Sequence, residues 1–170
     1  MKKLVLPALL ALTLAACSST GPEATDTSAQ NAGAGVATVT AGSASGSGIA
    51  ALTDPNNILS KRSVFFDFDS YVIKQEARPL VEAHARFLVQ NPQMKMLIQG
   101  NTDERGSREY NLALGQKRAD VVKQALMLLG AKEAQIESVS LGEEKPRCED
   151  RTENCYAENR RGDMLYTGEF

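Results

Sequence analysis

The sequence has no tryptophan, one histidine and three cysteines among its 170 residues. Aromatic residues make up 5% of the chain, its net charge at pH 7 is −2 and no long basic run occurs, so neither base stacking nor phosphate binding is favoured. The single histidine, His84, lies in a predicted helix without a nearby cysteine or paired carboxylate, and we expect a structural or surface role for it. Neither a glycine-rich nucleotide motif nor a serine, histidine and acid set is present. These absences predict no nucleic-acid partner, no catalytic site and no cofactor.

The first 16 residues have the composition of an export signal. Two lysines precede the apolar stretch Leu4 to Leu14, which is shorter than the ~20 residues that span a bilayer. The string LAAC at residues 14–17 is similar to a bacterial lipobox, in which the cysteine becomes the lipid-modified first residue of the mature protein. A plain secretory signal that ends at a cysteine is the alternative. Lipid on Cys17 predicts membrane attachment, and Ser18 instead of aspartate favours the outer membrane.

The chain after Cys17 changes character near residue 57. Residues 18–48 are almost all Ser, Thr, Gly and Ala, and they bury too little apolar surface to offset the entropy lost on ordering. We therefore predict a signal peptide at 1–16, a lipidated cysteine with a flexible tether at 17–56, and one globular domain at 57–170.

Alternating strand and helix patterns after residue 57 predict an α/β (α+β) fold. Apolar and β-branched runs predict strands at 63–69, 94–100, 136–141 and 161–166, and helical periodicity predicts helices at about 74–90 and from Ser107 to a stop at Gly130. The order predicts a two-layer sandwich, a four-stranded mixed sheet with two main helices on one face. In the first strand Asp67 and Asp69 would share one face and Phe66 and Phe68 the other. The second helix has this predicted buried stripe: Gly115, Ala119, Val122, Leu126 and Leu129.

The segment between the last two strands is predicted to be a loop that contains Cys148 and Cys155. Export places them in an oxidising compartment, so a disulfide is expected, with two free thiols as the alternative. Gly162 interrupts the strand that follows, which predicts that this last strand is short.

A candidate binding site lies where the second strand turns into the second helix. Asn111, Gly115 and Arg118 lie within roughly 60° of one another on that helix, and Asp103 comes just before it. A partly buried guanidinium needs an anionic partner. Arg118 and Asp103 together suit a zwitterion such as a free amino-acid end; alternatively, they pair with each other and clip the loop to the helix.

A cation site is a further hypothesis. Clustered carboxylates suit a hard cation such as Ca²⁺, although the regular ligand spacing of an EF-hand loop is missing. The four candidate ligands are Asp67, Asp69, Asp103 and Glu104.

Four motifs occur in order along the domain. They are FDFD at 66–69, GNTDERG at 100–106, YNLALG at 110–115 followed by Arg118-Ala119, and NRR at 159–161. Together they resemble the OmpA-like peptidoglycan-binding domain over about residues 57–166. The resemblance implies noncovalent binding of the meso-diaminopimelate in the stem peptide of peptidoglycan, with Asp103 and Arg118 holding the ammonium and carboxylate of its D-amino-acid end.

The resemblance also implies further site residues and partners. The predicted ligand-binding set is Phe68, Asp69, Asn101, Thr102, Asp103, Asn111, Leu114, Gly115 and Arg118. Arg160 and Arg161 are expected to be structural. Combined with the lipobox, the resemblance implies an outer-membrane lipoprotein that faces the periplasm, binds peptidoglycan, and works with TolB and other Tol proteins in envelope integrity and cell division.

Overall fold

The computed structural model describes residues 48–169. Its helices are α1 (Gly48–Thr53), α2 (Arg78–Gln90), α3 (Arg108–Leu128) and α4 (Glu153–Asn159), and its strands are β1 (Ser63–Phe65), β2 (Met96–Asn101), β3 (Ile136–Gly142) and β4 (Arg161–Tyr166). The predicted export signal, the lipid site at Cys17 and most of the predicted tether lie outside the described residues.

The four strands form one mixed sheet in the order β1-β4-β2-β3. Strand β4 is antiparallel to both β1 and β2, whereas β2 and β3 are parallel. Because directly paired residues point to the same face of a sheet, Ile98 and Met164 share a face, and both are fully buried in the core that contains the apolar sides of α2 and α3. The predicted two-layer α/β fold, with a four-stranded mixed sheet and two main helices, is confirmed.

Helix α3 begins and ends at the predicted signals. The Ser107 side chain accepts a hydrogen bond from the Tyr110 backbone N–H at 3.2 Å, which caps the first turn. After the helix, Gly130 has a φ of 103°, a left-handed conformation that glycine adopts without strain. Leu129, predicted to be buried, is 47% exposed, because the helix ends at Leu128 and Leu129 only caps it. The rest of the predicted stripe is buried: Gly115, Ala119, Val122 and Leu126.

Strand β1 is shorter than predicted. It ends at Phe65, and one further backbone hydrogen bond joins Phe66 N–H to the Arg160 carbonyl at 2.9 Å before the chain leaves the sheet. Phe66 is buried, whereas Phe68 is 58% exposed and Asp69 has a φ of 53°. The alternating pattern therefore does not extend to Asp69, and the prediction that Phe66 and Phe68 share one face of a strand is wrong.

Strand β4 has the bounds predicted for it, 161–166, and Gly162 does not shorten it. Gly162 pairs with Val64 of β1 and with Gly100 of β2, so the ladder continues through it for the six residues from Arg161 to Tyr166. The prediction of a short last strand is wrong, because this glycine is held by strands on both sides.

Helix α2 starts later than predicted, after a 3₁₀ turn at Gln75–Ala77, and Pro79 occupies its first turn, where a missing N–H is tolerated. His84 on this helix is fully buried. Its Nε2 lies 2.8 Å from the Lys61 carbonyl, and its Nδ1 lies 2.8 Å from the Tyr166 hydroxyl. His84 therefore has a structural role, as predicted.

The packed domain begins before residue 57. Helix α1 falls within the predicted tether, yet Leu52 is buried in the core and its carbonyl accepts a hydrogen bond from Arg62 Nη2 at 2.9 Å. A buried apolar side chain and a partly buried hydrogen bond to the backbone thus fix a stretch that composition assigned to the tether. Within residues 48–169, no helix combines the length and apolar content needed to cross a bilayer.

The segment between β3 and β4 contains a disulfide and a helix. Cys148 and Cys155 are bonded, which confirms the predicted disulfide, and their Cα atoms are 5.3 Å apart. The Asn159 side chain adds a second link to the Cys148 region: its Oδ1 accepts from Cys148 N–H at 3.1 Å, and its Nδ2 donates to the Cys148 carbonyl at 2.7 Å. Helix α4, capped by Thr152, occupies part of the predicted loop, because these contacts stabilise a helix too short to show an apolar stripe.

Candidate functional site

A cavity of about 190 Å³ opens where the loops after β1 and β2 meet the first turns of α3. Arg160, at the junction of α4 and β4, closes one side. The cavity walls carry three arginines and two aspartates, so they can hold both signs of charge. The lining residues are Phe68, Asp69, Thr102, Asp103, Arg105, Gly106, Tyr110, Asn111, Leu114, Arg118 and Arg160.

Arg118 projects from α3 and is fully buried. Its guanidinium donates three hydrogen bonds to backbone carbonyls: Nε to Ser70 at 2.8 Å, Nη1 to Asn101 at 2.9 Å and Nη2 to Asp67 at 3.1 Å. These carbonyls fix the orientation of the side chain but do not neutralise its charge.

Two donors of Arg118 remain after these three bonds, since a guanidinium has five N–H groups. Burial lowers the pKa of Arg118 to about 10, which still leaves the side chain cationic at neutral pH. A buried cation held only by neutral carbonyls favours an anionic group at the two remaining donors. The arrangement is therefore suited to a ligand carboxylate.

Asp103 faces the same cavity from the loop after β2 and is 4% exposed. Its Oδ2 accepts from Arg105 Nη2 at 2.7 Å and from Arg160 Nη1 at 3.1 Å, and its Oδ1 accepts from Arg105 N–H at 3.1 Å. Burial opposes ionisation of this carboxyl, but the hydrogen bonds from the two arginines outweigh it and hold the pKa of Asp103 below its usual value. Asp103 is therefore ionised at neutral pH and can accept from a ligand ammonium.

The proposed clip between Asp103 and Arg118 is wrong for the described structure. No ion pair or hydrogen bond joins these two described side chains. Three of the five N–H groups of Arg118 donate to carbonyls, and Asp103 accepts from Arg105 and Arg160. The two charged groups therefore lie at the cavity wall without binding each other, and each is held by different residues.

The structure brings seven of the nine predicted site residues to the cavity and leaves two outside it. Gly115 does not line the cavity but packs against the backbone of Gly100 on β2. Asn101 is buried, and its side-chain amide donates to the Gln99 carbonyl at 3.0 Å. Gly115 supports the site through the close contact of α3 with β2, and Asn101 supports it through its backbone carbonyl, which accepts from Arg118 Nη1 at 2.9 Å. The seven at the cavity are Phe68, Asp69, Thr102, Asp103, Asn111, Leu114 and Arg118.

Thr102 has an unused polar atom at the cavity. The residue is 3% exposed, and its Oγ1 has no hydrogen-bond partner among the described residues. A buried hydroxyl without a partner is unfavourable, so a ligand polar group at this position would remove the cost.

Four residues that line the cavity are not among the predicted site residues: Arg105, Gly106, Tyr110 and Arg160. The Tyr110 hydroxyl donates to Asp69 Oδ1, which connects the start of α3 to the loop after β1. The Arg105 guanidinium lies 4.2 Å from the Phe68 ring centroid and 4.5 Å from that of Tyr156. Helical spacing could have indicated Tyr110, which lies one turn before Leu114, but no local pattern places Arg105 between two distant rings.

The two arginines of the NRR motif have different surroundings. Arg161 bonds to Asp163 at 2.8 Å and to the carbonyls of Asn159 and Lys145, which agrees with the structural role predicted for it. Arg160 also has a structural contact, since its Nε donates to the Phe66 carbonyl at 3.2 Å. In addition, it lines the cavity and its Nη1 donates to Asp103 Oδ2.

The four carboxylates of the calcium hypothesis do not form one cluster. Asp67 pairs with Lys74, Asp69 accepts from Tyr110, and Glu104 pairs with Arg151 at 3.2 Å. Asp103 is held by its two arginines. Residues 48–169 contain no group of three or more His, Cys, Asp or Glu side chains arranged to hold a metal ion. The predicted cation site is therefore wrong, because each carboxylate is turned towards a different positive or hydroxyl partner.

Comparison with known proteins identifies similar chains. The model of the OmpA family matches residues 65–160. A peptidoglycan-associated lipoprotein of Pseudomonas putida is 38% identical over 163 residues, which cover 92% of this chain and 93% of the relative. A peptidoglycan-associated lipoprotein of Pasteurella multocida is 47% identical over 104 residues, 61% of this chain and 69% of the relative.

A solved structure has a similar fold. The crystal structure of the peptidoglycan-associated lipoprotein from Burkholderia pseudomallei superposes with a TM-score of 0.67 at 56% sequence identity. The match covers 68% of this chain and 98% of that chain. The similarity therefore includes nearly the whole of the solved domain.

Proposed function

Because the chain belongs to the OmpA family, we propose that it is a peptidoglycan-binding lipoprotein of the outer membrane, and that its ligand is the meso-diaminopimelate of the stem peptide. The name of its relatives, peptidoglycan-associated lipoprotein, supports the coarser part of this proposal. The finer part, the ligand itself, rests on the cavity.

The observation that carries the proposal is the buried, charged Arg118, whose guanidinium bonds only to carbonyls. The distal end of meso-diaminopimelate carries a carboxylate and an ammonium on one carbon. The two remaining N–H groups of Arg118 suit the carboxylate, and the Asp103 carboxylate suits the ammonium. A ligand end with both charges can bind Arg118 and Asp103 together, whereas a carboxylate alone binds only Arg118 and an ammonium alone binds only Asp103.

The remaining predicted ligand contacts surround Arg118 and Asp103 in the cavity. The Thr102 hydroxyl and the Asn111 amide supply polar groups, and Leu114 supplies an apolar wall for the methylene chain. Phe68, which is exposed at the mouth and contacts Arg105, and Asp69 border the entrance. The role is that of binding, with no covalent step.

Attachment and partners complete the proposal. Lipid on Cys17 holds the chain in the outer membrane, and the following Ser/Gly/Ala/Thr-rich stretch lets the domain reach the wall in the periplasm. TolB and other Tol proteins are the proposed protein partners, in the Tol–Pal system, on the basis of the family resemblance.

The proposal is tested by co-sedimentation of the full chain with purified sacculi of two kinds. One kind carries meso-diaminopimelate, and the other carries L-lysine, whose side chain ends in an ammonium without the carboxylate. We expect the protein to pellet with the first kind only and to be released by free meso-diaminopimelate. Equal sedimentation with both kinds of sacculi would overturn the assignment of the ligand.

A further inference from the structure

Four charged side chains form a closed ring at one wall of the cavity. Asp103 Oδ2 accepts from Arg105 at 2.7 Å and from Arg160 at 3.1 Å. On the far side, Glu153 Oε2 accepts from Arg105 at 3.2 Å and Glu153 Oε1 accepts from Arg160 at 2.8 Å. Carboxylates and guanidiniums thus alternate, and each arginine is shared between two acids.

Glu153 is the member of this ring that does not line the cavity. It lies in the first turn of α4, with its side chain 63% exposed, behind the two arginines. The Cys148–Cys155 disulfide ties helix α4 to the preceding segment and so helps to fix the position of Glu153. Its carboxylate is held in place by Arg105 and Arg160 together.

The effect of Glu153 on Asp103 follows from the sharing of donors. With Glu153 present, the ring has two positive and two negative charges. Without it, Asp103 would be the only carboxylate that the two arginines bind, and the net charge of the ring would rise by one. Both changes disfavour a ligand ammonium beside Asp103 and favour a ligand carboxylate.

We propose that Glu153 is a specificity-determining positioning residue, which balances Arg105 and Arg160 so that Asp103 can accept the ammonium of a zwitterionic ligand end. The proposal rests on the function proposed above and deepens it. Glu153 acts through the two arginines and does not touch the ligand. It makes the site select a carbon that carries both ammonium and carboxylate over one that carries carboxylate alone.

The test compares two peptides that differ only in the ammonium. One is a stem tripeptide with meso-diaminopimelate, and the other has 2-aminopimelate in its place, so that its distal carboxylate lacks the neighbouring ammonium. Calorimetric titration of the full chain gives a Kd for each. The variants are Glu153→Gln, which removes the charge at nearly constant size, and Glu158→Gln, an exposed position on the same helix without an ion pair among the described residues.

We expect the wild type and Glu158→Gln to prefer the diaminopimelate peptide equally. Glu153→Gln should reduce that preference about two- to fivefold, the range of an exposed ion pair. A general structural effect would weaken both peptides by the same factor, and such a result, or an unchanged preference, would overturn the role of Glu153. Failure of the wild type to bind either peptide would instead overturn the proposed ligand, and this inference with it.

Discussion

Gly100 of β2 and Gly115 of α3 are in direct backbone contact. A Cβ atom built on Gly100 would lie 1.8 Å from the Gly115 carbonyl oxygen, and one on Gly115 would lie 2.8 Å from the Gly100 carbonyl oxygen and 2.3 Å from Ser140 Oγ. Real side chains do not approach so closely, so α3 can lie this near the sheet only because both residues are glycine. The short distance between α3 and the sheet therefore determines the position of Arg118, which lies one turn further along α3.

Gly115→Ala is therefore expected to destabilise the domain. Alanine gains ~1 kcal/mol of helix propensity over glycine, but overpacking against backbone costs about 1–3 kcal/mol and also shifts α3. We expect a net loss of about 1 kcal/mol in the free energy of unfolding in urea and weaker sedimentation with sacculi. Ala113→Ser, which adds one atom at an exposed position of the same helix, should stay within about 0.5 kcal/mol of wild type. An unchanged or higher stability of Gly115→Ala would contradict the close contact.

Asp103→Asn separates the binding role of Asp103 from its structural role. The substitution keeps the shape but removes the charge that Arg105 and Arg160 share. We expect loss of sacculus binding together with a stability loss of roughly 1–3 kcal/mol, less than full removal of a buried partner.

Asp163 provides a matched control for Asp103. It is also a buried aspartate held by two arginines, Arg147 at 3.0 Å and Arg161 at 2.8 Å, but it does not line the cavity. Asp163→Asn should lose comparable stability while the folded protein still sediments with sacculi. If both variants bound sacculi equally well, Asp103 would not be a ligand contact.

The site was predictable where local signals define it. The apolar run of β2 leads into a polar turn, Ser107 supplies the cap, and 3.6-residue periodicity places Asn111 and Arg118 on one side of α3. The hydrogen bonds that orient these residues were not predictable. Arg118 is oriented by carbonyls of Asp67 and Ser70, which lie far away in sequence and have no side-chain signature.

Two errors in the predicted fold have a similar cause. The apolar alternation continues to Phe68, but the backbone of the chain leaves the sheet after Phe66, and only tertiary pairing shows where that occurs. Helix α4 is too short for a periodic pattern and depends on the disulfide and on Asn159. Both features depend on contacts between distant parts of the chain.

His84 should make the stability of the domain depend on pH. Burial, only partly offset by the hydrogen bond to the Lys61 carbonyl, lowers the pKa of His84 from 6.5 to about 4. The unfolded chain therefore takes up a proton between these values while the folded chain does not, so the stability is fully present above about pH 6.5 and falls as the pH drops towards 4. Linkage predicts a loss of about 2 kcal/mol in the free energy of unfolding between pH 7 and pH 5, which urea unfolding at the two pH values would measure.

A His84→Gln variant provides the control for this titration. It removes the titrating group, so its stability at pH 7 and pH 5 should differ by much less than that of wild type, whatever its absolute stability. Asp103 and Glu169 do not account for a change in this range, because their pKa values lie below the ordinary carboxyl values. An equal pH dependence in the variant and in wild type would show that His84 is not the group responsible.

The disulfide should stabilise the domain by restricting the unfolded chain, and it should also hold α4 in place. Closing a loop with a sequence separation of 7 is expected to contribute about 2–3 kcal/mol in the chain-entropy model. Reduction with dithiothreitol should therefore lower the free energy of unfolding by that amount, without unfolding α4 completely, because Asn159 still bonds to Cys148 at 2.7 Å.

Reduction should also weaken sacculus binding moderately, since α4 carries Glu153 and leads into Arg160. A Cys148→Ala/Cys155→Ala variant should match the reduced wild type and be unaffected by dithiothreitol; a reductant effect on that variant, or none on the wild type, would contradict this role of the disulfide.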